Sequence, residues 1–565
     1  MTSDYWQNFH TRRASRRRVL SASGAATAGL AAVAIVGCGD DSPANGGRTG
    51  ASPATTTVAQ PKRGGVYRQA LDQLQPNMDV HKTNAGAGFW DWVGNYLVRF
   101  SVDSPGALDP DLAAALPEQP DELTYVFKIN PGATWQQRAP TKGRKVTSED
   151  VKFSFEDVLD KATASPRAGN YSQVASIEAP DPSTVIFKMK VPKPDLLATM
   201  ADQYDFIYPA EWKANRPKLT VDASEVVGTG PYELVSFSSD QGFKVERRKD
   251  AYWKPNQAWF DSAEYPLLPD PDAQLAGLRS GQFTVVIDNG KGFMSDRKSE
   301  LVQAGYFVDS TTTPSRNLTI VNHGVAPFDD PRVRLAMSRA INRRLVYANG
   351  FAGQGAIGGA ISPAMSDYVL PEQELVQLPG YLLDADKDFQ EARKLMDIAG
   401  VKDIKVQYET KPGSIASADA VLVPMYRKLG VNPELRDWGI TGSTAISNNY
   451  AKGDFTLGGF QPIAGPYPDA QLIIYHASDR TAGSRNYGNY KNDQVDALLT
   501  KQSREFKKEA RVQIVREIQK LVAQSPGPLW IGSPQILTAR TKALQGWKPT
   551  NLSTYYQLSS TCWLA

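Results

Sequence analysis

The chain of 565 residues contains only two cysteines, Cys38 and Cys562. They lie near opposite ends, so a framework of disulfides cannot be what holds the fold together. A chain of this length needs no such cross-link, because roughly 500 residues bury an ample hydrophobic core. We therefore expect a large protein without an internal disulfide, in which Cys562 is a small packing residue.

Histidine is also scarce. The chain has four histidines, His10, His81, His323 and His476. No two have the spacing of metal ligands on one helix or hairpin, and no Gly-x-Ser-x-Gly motif of a hydrolase occurs. Gly228-Thr229-Gly230 lacks the third glycine of a nucleotide-binding loop. We accordingly expect no catalytic residue, no cofactor and no metal, although a carboxylate pair of the glycosidase type would leave no signature in the spacing.

Long hydrophobic runs are absent except at residues 21–37. This segment follows the twin-arginine run SRRRVL, which contains Arg16 and Arg17, and it ends in IVGC at Cys38. A basic segment, an apolar segment and small residues before a cysteine are typical of a lipoprotein export signal. Serines and glycines make the run weakly hydrophobic for a transmembrane anchor. The sequence therefore predicts a signal peptide at 1–37, export through Arg16 and Arg17, and lipidation of Cys38.

Neither sign of charge dominates. The first 37 residues hold five arginines and one aspartate, so the remainder has 58 basic and 59 acidic residues. This balance gives no reason to expect a nucleic-acid partner. Residues 38–61 are rich in Gly, Ser, Pro, Thr and Ala, and such a composition cannot bury enough surface to become ordered. We expect this segment to be a flexible tether between the membrane and a globular body.

The sequence pattern of a folded domain begins near Gly64 and combines the hydrophobic periods of strands and of helices. Residues 123–129 and 184–189 are rich in β-branched and aromatic side chains and predict strands. Amphipathic helices are predicted at four places, residues 147–159, 331–350, 389–399 and 506–521. The lysines and arginines of the last helix are expected to form a solvated face. Strands and helices mixed over this length predict a large α/β protein with more than one lobe.

Aromatic residues are plentiful, with 11 Trp, 23 Tyr and 20 Phe. Several stand in a glycine- and proline-rich segment, residues 455–469, rather than in a periodic stripe. Aromatic rings beside glycines suit the wall of a ligand cleft, where flat groups cover a solute and a few polar groups orient it. Ordinary packing of a loop on the core would give the same pattern.

Five short blocks of the sequence resemble motifs of a known protein family. They are YVFKINPGATW at 125–135, TSEDVKFSF at 147–155, GTGPY at 228–232, PFDDPRVR at 327–334 and AINR at 340–343. In this order they resemble the bacterial extracellular solute-binding proteins of family 5, the oligopeptide, dipeptide and nickel class. The resemblance covers roughly 460 residues from Gly64 onward, and a lipoprotein signal is consistent with the same compartment.

The resemblance implies a hinged two-lobe fold of the periplasmic-binding-protein type II, with an extra subdomain in lobe I. Lobe I would comprise 62–100, 222–314 and 529–565, the additional subdomain 101–221, and lobe II 315–528. The hinge would then lie near Pro314 and Pro528. Closure of such a hinge is selective because a solute must stabilise the closed state.

The resemblance also implies a ligand site. In peptide-binding relatives, a loop of lobe II carries an aspartate that pairs with the ligand's amino terminus. Here that position falls on Pro466, which has neither charge nor N–H. The loop still offers a set of candidate ligand-binding residues, Phe460, Gln461, Tyr467 and Asp469. We expect the rings to give apolar contact and Asp469 to orient a polar or cationic group, whereas nickel binding is not expected.

The function implied is that of a monomeric substrate-binding lipoprotein of an ATP-binding-cassette (ABC) importer. Its partners would be a small solute, which could be a peptide, the permease and ATPase subunits, and the membrane through the lipid anchor. Two alternatives remain open at this point: an exported hydrolase, and a ligand-sensing lipoprotein without a transport role. Each would use the same export signal.

Overall fold

The computed structural model describes residues 60–74, 77–83, 87–104, 106–217, 219, 222–288, 292–411, 414–439, 443–461, 465–479, 484–550 and 554–565. The predicted export signal with Arg16 and Arg17, the predicted lipidation site Cys38 and nearly all of the predicted tether lie outside these residues.

The strands of the described residues are short, with one exception near the end of the chain. In chain order they are β1 (Val66–Arg68), β2 (Val98–Phe100), β3 (Leu108–Pro110), β4 (Glu118–Asp121), β5 (Thr124–Lys128), β6 (Val174–Asp181), β7 (Thr184–Met189), β8 (Tyr232–Ser238), β9 (Gly242–Arg247), β10 (Ser262–Pro266), β11 (Val285–Ile287), β12 (Phe307–Thr312), β13 (Asn317–Val321), β14 (Gly355–Ile357), β15 (Ile404–Thr410), β16 (Val431–Asp437), β17 (Leu457–Phe460), β18 (Leu529–Arg540), β19 (Leu544–Gln545) and β20 (Trp563–Leu564).

The helices of the described residues are α1 (Trp90–Val93), α2 (Ser148–Leu159), α3 (Leu196–Met200), α4 (Pro271–Arg279), α5 (Lys298–Gln303), α6 (Pro331–Ala340), α7 (Arg343–Leu345), α8 (Glu372–Leu375), α9 (Ala385–Ala399), α10 (Ser414–Lys428), α11 (Ser443–Lys452), α12 (Pro468–His476), α13 (Asp493–Gln502), α14 (Lys508–Gln524) and α15 (Thr554–Ser560). Short 3-10 turns occur at Ala87–Phe89, Ala168–Tyr171, Ala210–Lys213 and Ala223–Glu225, and Val346–Gly350 forms a π turn.

A four-stranded sheet, the first sheet, has the order β1-β10-β9-β8. The GTGPY turn leads into its edge strand β8 and packs directly on the backbone at the end of α1. A Cβ atom on Gly228 would lie 2.0 Å from the carbonyl oxygen of Val93, and one on Gly230 would lie 2.6 Å from its carbonyl carbon. The two glycines are therefore required for close packing of the backbone.

A second four-stranded sheet, the second sheet, has the order β4-β5-β7-β6. Its β5 and β7 confirm the two predicted strands, and they pair with Tyr125 opposite Phe187. Helix α2 begins after Thr147, whose backbone N–H donates to the Asp150 carboxylate at 2.9 Å, as the capping pattern predicted. Helix α3 packs Leu196 into the same hydrophobic core. We call this sheet with α2 and α3 the second-sheet unit.

The third sheet has eight strands in the order β11-β18-β13-β17-β15-β16, with β12 and β14 also paired to β18. The long strand β18 connects two parts of this sheet: its first residue Leu529 pairs with Thr319 on β13, and its last residue Arg540 pairs with Phe307 on β12. Helices α6, α9 and α10 share one hydrophobic cluster with this sheet, while α12, α13 and α14 share another. We call these helices and β13–β17 the third-sheet unit.

The helix predicted at 331–350 begins as expected, with the side chain of Asp330 capping α6. Its predicted continuation to Gly350 is wrong, because Ile341 is extended and ends the helix at Ala340. The side chain of Asn342 then caps α7, and the buried Arg343 guanidinium donates to carbonyl oxygens of neighbouring segments. These polar contacts replace the helix hydrogen bonds at the break.

The helix predicted at 389–399 is confirmed, whereas the helix predicted at 506–521 differs from the structure in its start and in its basic face. Helix α9 covers the predicted stripe and ends at Gly400, which adopts the left-handed conformation at φ 69°. Helix α14 begins at Lys508, after the predicted start. Its basic residues do not all form a solvated face: Lys508 is exposed, but Arg511 is only 3% exposed. That part of the prediction is wrong because Arg511 has buried acidic partners, described below.

Candidate ligand site

Phe460 ends strand β17, directly before the loop predicted to border a ligand. Its backbone pairs with Leu318 of β13. The ring is buried, and it meets the rings of Tyr450 and Tyr487 edge-on at centroid distances of 5.7 and 5.9 Å. Such edge-to-face contacts stabilise a packed aromatic cluster. Phe460 is thus anchored in the core of the third-sheet unit at the base of the loop.

Tyr467 lies at the other end of the loop and immediately precedes α12. It is buried, although it stands in a loop. Burial and the charges of Asp202 and Asp195 raise its pKa well above the ordinary value, while a hydrogen bond with Thr199 of α3 acts in the opposite direction. All three of these residues follow β7, so the ring of Tyr467 reaches from the third-sheet unit to the second-sheet unit.

Asp469 stands in the first turn of α12, where a carboxylate is favoured by the helix dipole. It is buried, and three side chains donate to it. The Gln502 amide lies 2.7 Å from Oδ1, the Arg511 guanidinium 3.3 Å from Oδ1, and the Lys193 ammonium 3.3 Å from Oδ2. Asp469 is therefore fully engaged with protein groups in this conformation.

The same cluster contains Asp195, the residue that precedes α3. Its carboxylate accepts two hydrogen bonds from the Arg511 guanidinium, one of them at 2.7 Å, and one at 3.2 Å from the backbone N–H of Asp469. Asp195 and Arg511 are both nearly inaccessible to solvent. We call the five residues Lys193, Asp195, Asp469, Gln502 and Arg511 the clasp. Two come from the second-sheet unit and three from helices α12, α13 and α14.

The clasp connects the two units through charge-assisted hydrogen bonds, which are roughly twice as strong as neutral ones. Sequence reasoning identified only Asp469 among its five members. A signal for Arg511 existed: it stands at the spacing of Val515, Ile518 and Val522 on the buried side of α14. The acidic partner Asp195 gave no such signal, because it lies 316 residues away in the sequence.

The remaining loop positions offer less polar chemistry. Gln461 follows β17 and is partly exposed. Pro466, at the position where relatives were expected to carry an amine-binding aspartate, contributes no donor or charge. The structure thus brings Tyr467 and Asp469 together at the contact with the second-sheet unit, whereas Phe460 lies at the opposite, core-facing end of the loop.

Histidine, cysteine and acidic side chains elsewhere in the described ranges are the remaining candidates for site chemistry. No group of three or more His, Cys, Asp or Glu side chains in them is arranged to hold a metal ion. His323 and His476 both contact the Tyr490 ring, and burial lowers the pKa of each to about 3, so both are neutral. Cys562 is buried, which raises its pKa to about 12. None of the helices in the described residues is long and apolar enough to cross a membrane.

Comparison with known proteins identifies relatives of this chain. Residues 107–483 match the bacterial extracellular solute-binding proteins, family 5 (middle). A putative ABC transporter peptide-binding protein of Brucella melitensis is 30% identical over 365 residues, covering 62% of this chain and 64% of the relative. The match therefore spans less than two thirds of that relative's length.

Two solved structures share the architecture. The periplasmic binding protein DppA of Helicobacter pylori, in complex with the peptide STSA, has a TM-score of 0.76 at 21% identity, over 88% of this chain and 98% of its own. AgaA of A. tumefaciens R10, in complex with agropinic acid, has a TM-score of 0.72 at 20% identity, over 89% of this chain and 99% of its own. These similarities establish the fold and confirm the predicted α/β architecture.

The five sequence blocks that carried the resemblance all lie within residues 107–483. The matched stretch also contains the second sheet, the loop from Phe460 to Asp469 and two members of the clasp on its second-sheet side. The family prediction is therefore confirmed, and the chain belongs to family 5 of the bacterial extracellular solute-binding proteins.

Proposed function

We propose that this chain is the substrate-binding component of an ABC importer, which captures a small solute and delivers it to permease and ATPase subunits. The observation that carries the proposal is the family match, because it runs through both units that meet at the clasp. Proteins of this family bind solutes, and the buried contact between the two units supports the proposal of a closed state that a ligand could stabilise.

The same proposal divides the folded body into two lobes that close on the ligand. Lobe I would comprise 62–100, 222–314 and 529–565 with the subdomain 101–221, and lobe II 315–528. Separate hydrophobic clusters support this division: one contains Tyr67, Phe187 and Leu544, and others contain Tyr408 and Ile518. The chain passes between the two sets between β12 and β13, near Pro314, and again along β18, where Leu529, Trp530 and Ile531 still pack in the lobe II clusters.

For the ligand we propose a peptide or another small polar compound. The Brucella and Helicobacter proteins are named for peptides and AgaA was solved with agropinic acid, so structures of this fold hold different solutes. We propose that the loop with Phe460, Gln461, Tyr467 and Asp469 borders the ligand. Asp469 would act through the clasp, since its oxygens are already occupied in the closed arrangement.

We further propose that the protein is exported through Arg16 and Arg17 and is held at the outer face of the cell membrane by a lipid on Cys38. The support is the sequence signal alone. A tether of about twenty residues would leave the folded body free to meet a permease in the same membrane.

Uptake and binding test the function together. A strain lacking this gene should lose uptake of the ligand, and the purified folded body should bind that ligand and become more compact in small-angle scattering. Ligand at 100 times its Kd should stabilise the folded state by about 2.7 kcal/mol. A hydrolase would instead convert the ligand during the titration, and a sensor would bind it while uptake in the deletion strain stayed normal.

A further inference from the structure

The side-chain amide of Gln471 connects two segments on which the proposed ligand cleft depends. Gln471 lies in α12 and is inaccessible to solvent. Its Nε2 donates one hydrogen bond to the carbonyl oxygen of Pro314 at 3.2 Å and another to that of Gly465 at 2.8 Å. Pro314 lies between β12 and β13, where the chain passes from one lobe to the other, and Gly465 lies in the loop proposed to border the ligand. One amide group therefore bridges the hinge and the loop.

The oxygen of the same amide is also engaged. Gln471 Oε1 accepts a hydrogen bond from the backbone N–H of Ser362 at 3.3 Å. The Ser362 hydroxyl donates to the carbonyl oxygen of Thr313 at 2.8 Å and lies 3.0 Å from the hydroxyl of Ser533 on β18. Ser362, Gln471 and Ser533 are all fully buried. Because two carbonyl oxygens need a donor and one N–H needs an acceptor, these partners fix the orientation of the amide.

A buried arginine holds the backbone of Gln471 from the same side. The Arg316 guanidinium donates to the carbonyl oxygen of Gln471 at 3.1 Å and lies 3.8 Å from the centroid of the Trp530 ring on β18. Arg316 is buried, and its burial lowers its pKa to about 9. The stacking of a guanidinium on an indole is attractive. Both passages of the chain between the lobes are thus in contact with the residues that hold α12.

The proline at the first passage restricts how the hinge can move. The ring of Pro314 fixes φ at about −65°, so a rotation of the chain at this residue must use ψ. Such a rotation turns the carbonyl oxygen of Pro314, which is the acceptor of the bond from Gln471. The two N–H groups of one amide point in fixed directions, so both bonds persist only while the carbonyl oxygens of Pro314 and Gly465 keep their relative position.

We propose that Gln471 is a positioning residue, which couples closure of the hinge at Pro314 to the placement of the loop that borders the ligand. This inference rests on the proposed function and adds the residue that transmits closure to the site. The amide holds Gly465 where Tyr467 and Asp469, farther along the loop, meet the second-sheet unit. Opening of the hinge breaks at least one of the two carbonyl bonds, so the amide favours the closed form.

Small-angle scattering of the free Gln471→Met protein tests this role. Methionine fills a similar volume but donates no hydrogen bond, so both carbonyl bonds are lost. Each such bond changes an equilibrium by roughly a factor of five, and the balance between closed and open forms should shift toward the open form by roughly 25-fold. The radius of gyration should increase toward that of Arg511→Gln, which breaks the clasp. Gln471→Asn keeps the amide on a shorter side chain and should give a smaller increase.

The matched control is Gln519→Met, because Gln519 is a second buried glutamine of the third-sheet unit. Its Nε2 donates to the carbonyl oxygens of Tyr368 and Val515 at 2.9 and 3.2 Å. Its Oε1 accepts from the backbone N–H of Leu370 at 3.4 Å. These bonds match those of Gln471 in kind but do not join the hinge to the loop. Gln519→Met should therefore lower the melting temperature as Gln471→Met does, yet keep the wild-type radius.

The outcomes separate failure of the inference from failure of the proposed function. A folded Gln471→Met protein with the wild-type radius, beside a larger Arg511→Gln protein, would overturn the inference and leave the two-lobe closure intact. Equal increases in Gln471→Met and Gln519→Met would also overturn it, because a general loss of stability would explain the opening. If neither Arg511→Gln nor Gln471→Met is larger than the wild type, the proposed closure fails together with the inference. Gln471→Asn decides the question if Gln471→Met does not fold.

Discussion

The clasp gives the sharpest quantitative prediction. Replacing Arg511 by Gln removes the guanidinium from Asp195 and leaves two buried carboxylates, Asp195 and Asp469, with only Lys193 as a cation. Removal of one partner from a buried ion pair costs about 3–5 kcal/mol. The backbone N–H of Asp469 donates to Asp195, so its hydrogen exchange reports directly on opening of the clasp.

A loss of about 3 kcal/mol corresponds to exchange that is faster by roughly two orders of magnitude at the Asp469 amide in the Arg511→Gln variant. Amides of β15, which lie away from the clasp, should keep their wild-type rates, and this separates local opening from global unfolding. The matched control is Lys508→Gln on the same helix, because the Lys508–Asp367 pair is more than half exposed. It should change exchange by less than about fivefold.

The double variant Asp195→Asn with Arg511→Gln tests the pairing itself. If the two residues stabilise the closed state through each other, the free energy of clasp opening should fall less in the double variant than the sum of the two single-variant losses. Exchange at Asp469 that stays within fivefold of the wild type in Arg511→Gln, or that matches the Lys508→Gln control, would refute the assignment of the clasp as an energetic connection between the units.

Three further predictions follow from single residues. Burial raises the folded-state pKa of Asp205 to about 7, against an ordinary value near 3.8. The free energy of unfolding should therefore fall by up to about 4 kcal/mol as the pH rises from 4 to 7. Denaturant titrations at the two pH values should show a smaller fall in the Asp205→Asn variant than in the wild type. Gly228→Ala should destabilise the fold by several kcal/mol in the same assay, because its Cβ would collide with the Val93 carbonyl oxygen; an unchanged midpoint would contradict this packing. Cys38→Ala should abolish fatty-acid labelling of the protein, and labelling that persists would exclude Cys38 as the lipidated residue.

Much of the fold could be predicted from the sequence because its signals are local. The strands at β5 and β7 follow from runs of β-branched and aromatic side chains, and the start of α2 follows from the three-residue spacing of Thr147 and Asp150. The family blocks lie in such local elements. The break at Ile341 could not be predicted, because the helical spacing continues through Ile341 and Leu345, whereas the contacts of Arg343 beside the break are made with carbonyl oxygens far along the chain.

The candidate site was less predictable, since it depends on contacts between distant segments. Asp469 was identified from its loop, but its proximity to Lys193 and Asp195 joins residues more than 270 positions apart. The positive charge of Arg511 favours a solvated face, whereas its spacing to Val515 and Ile518 favours the buried side that the structure shows.

Native mass spectrometry of the protein purified from its own cells tests the central claim most directly. The account predicts a complex of one protein with one small solute, which separates on denaturation and releases the solute chemically unchanged. A protein that carries no solute and binds none from a cell extract, or one that releases a cleaved product, would contradict the assignment of this chain as a solute-binding component.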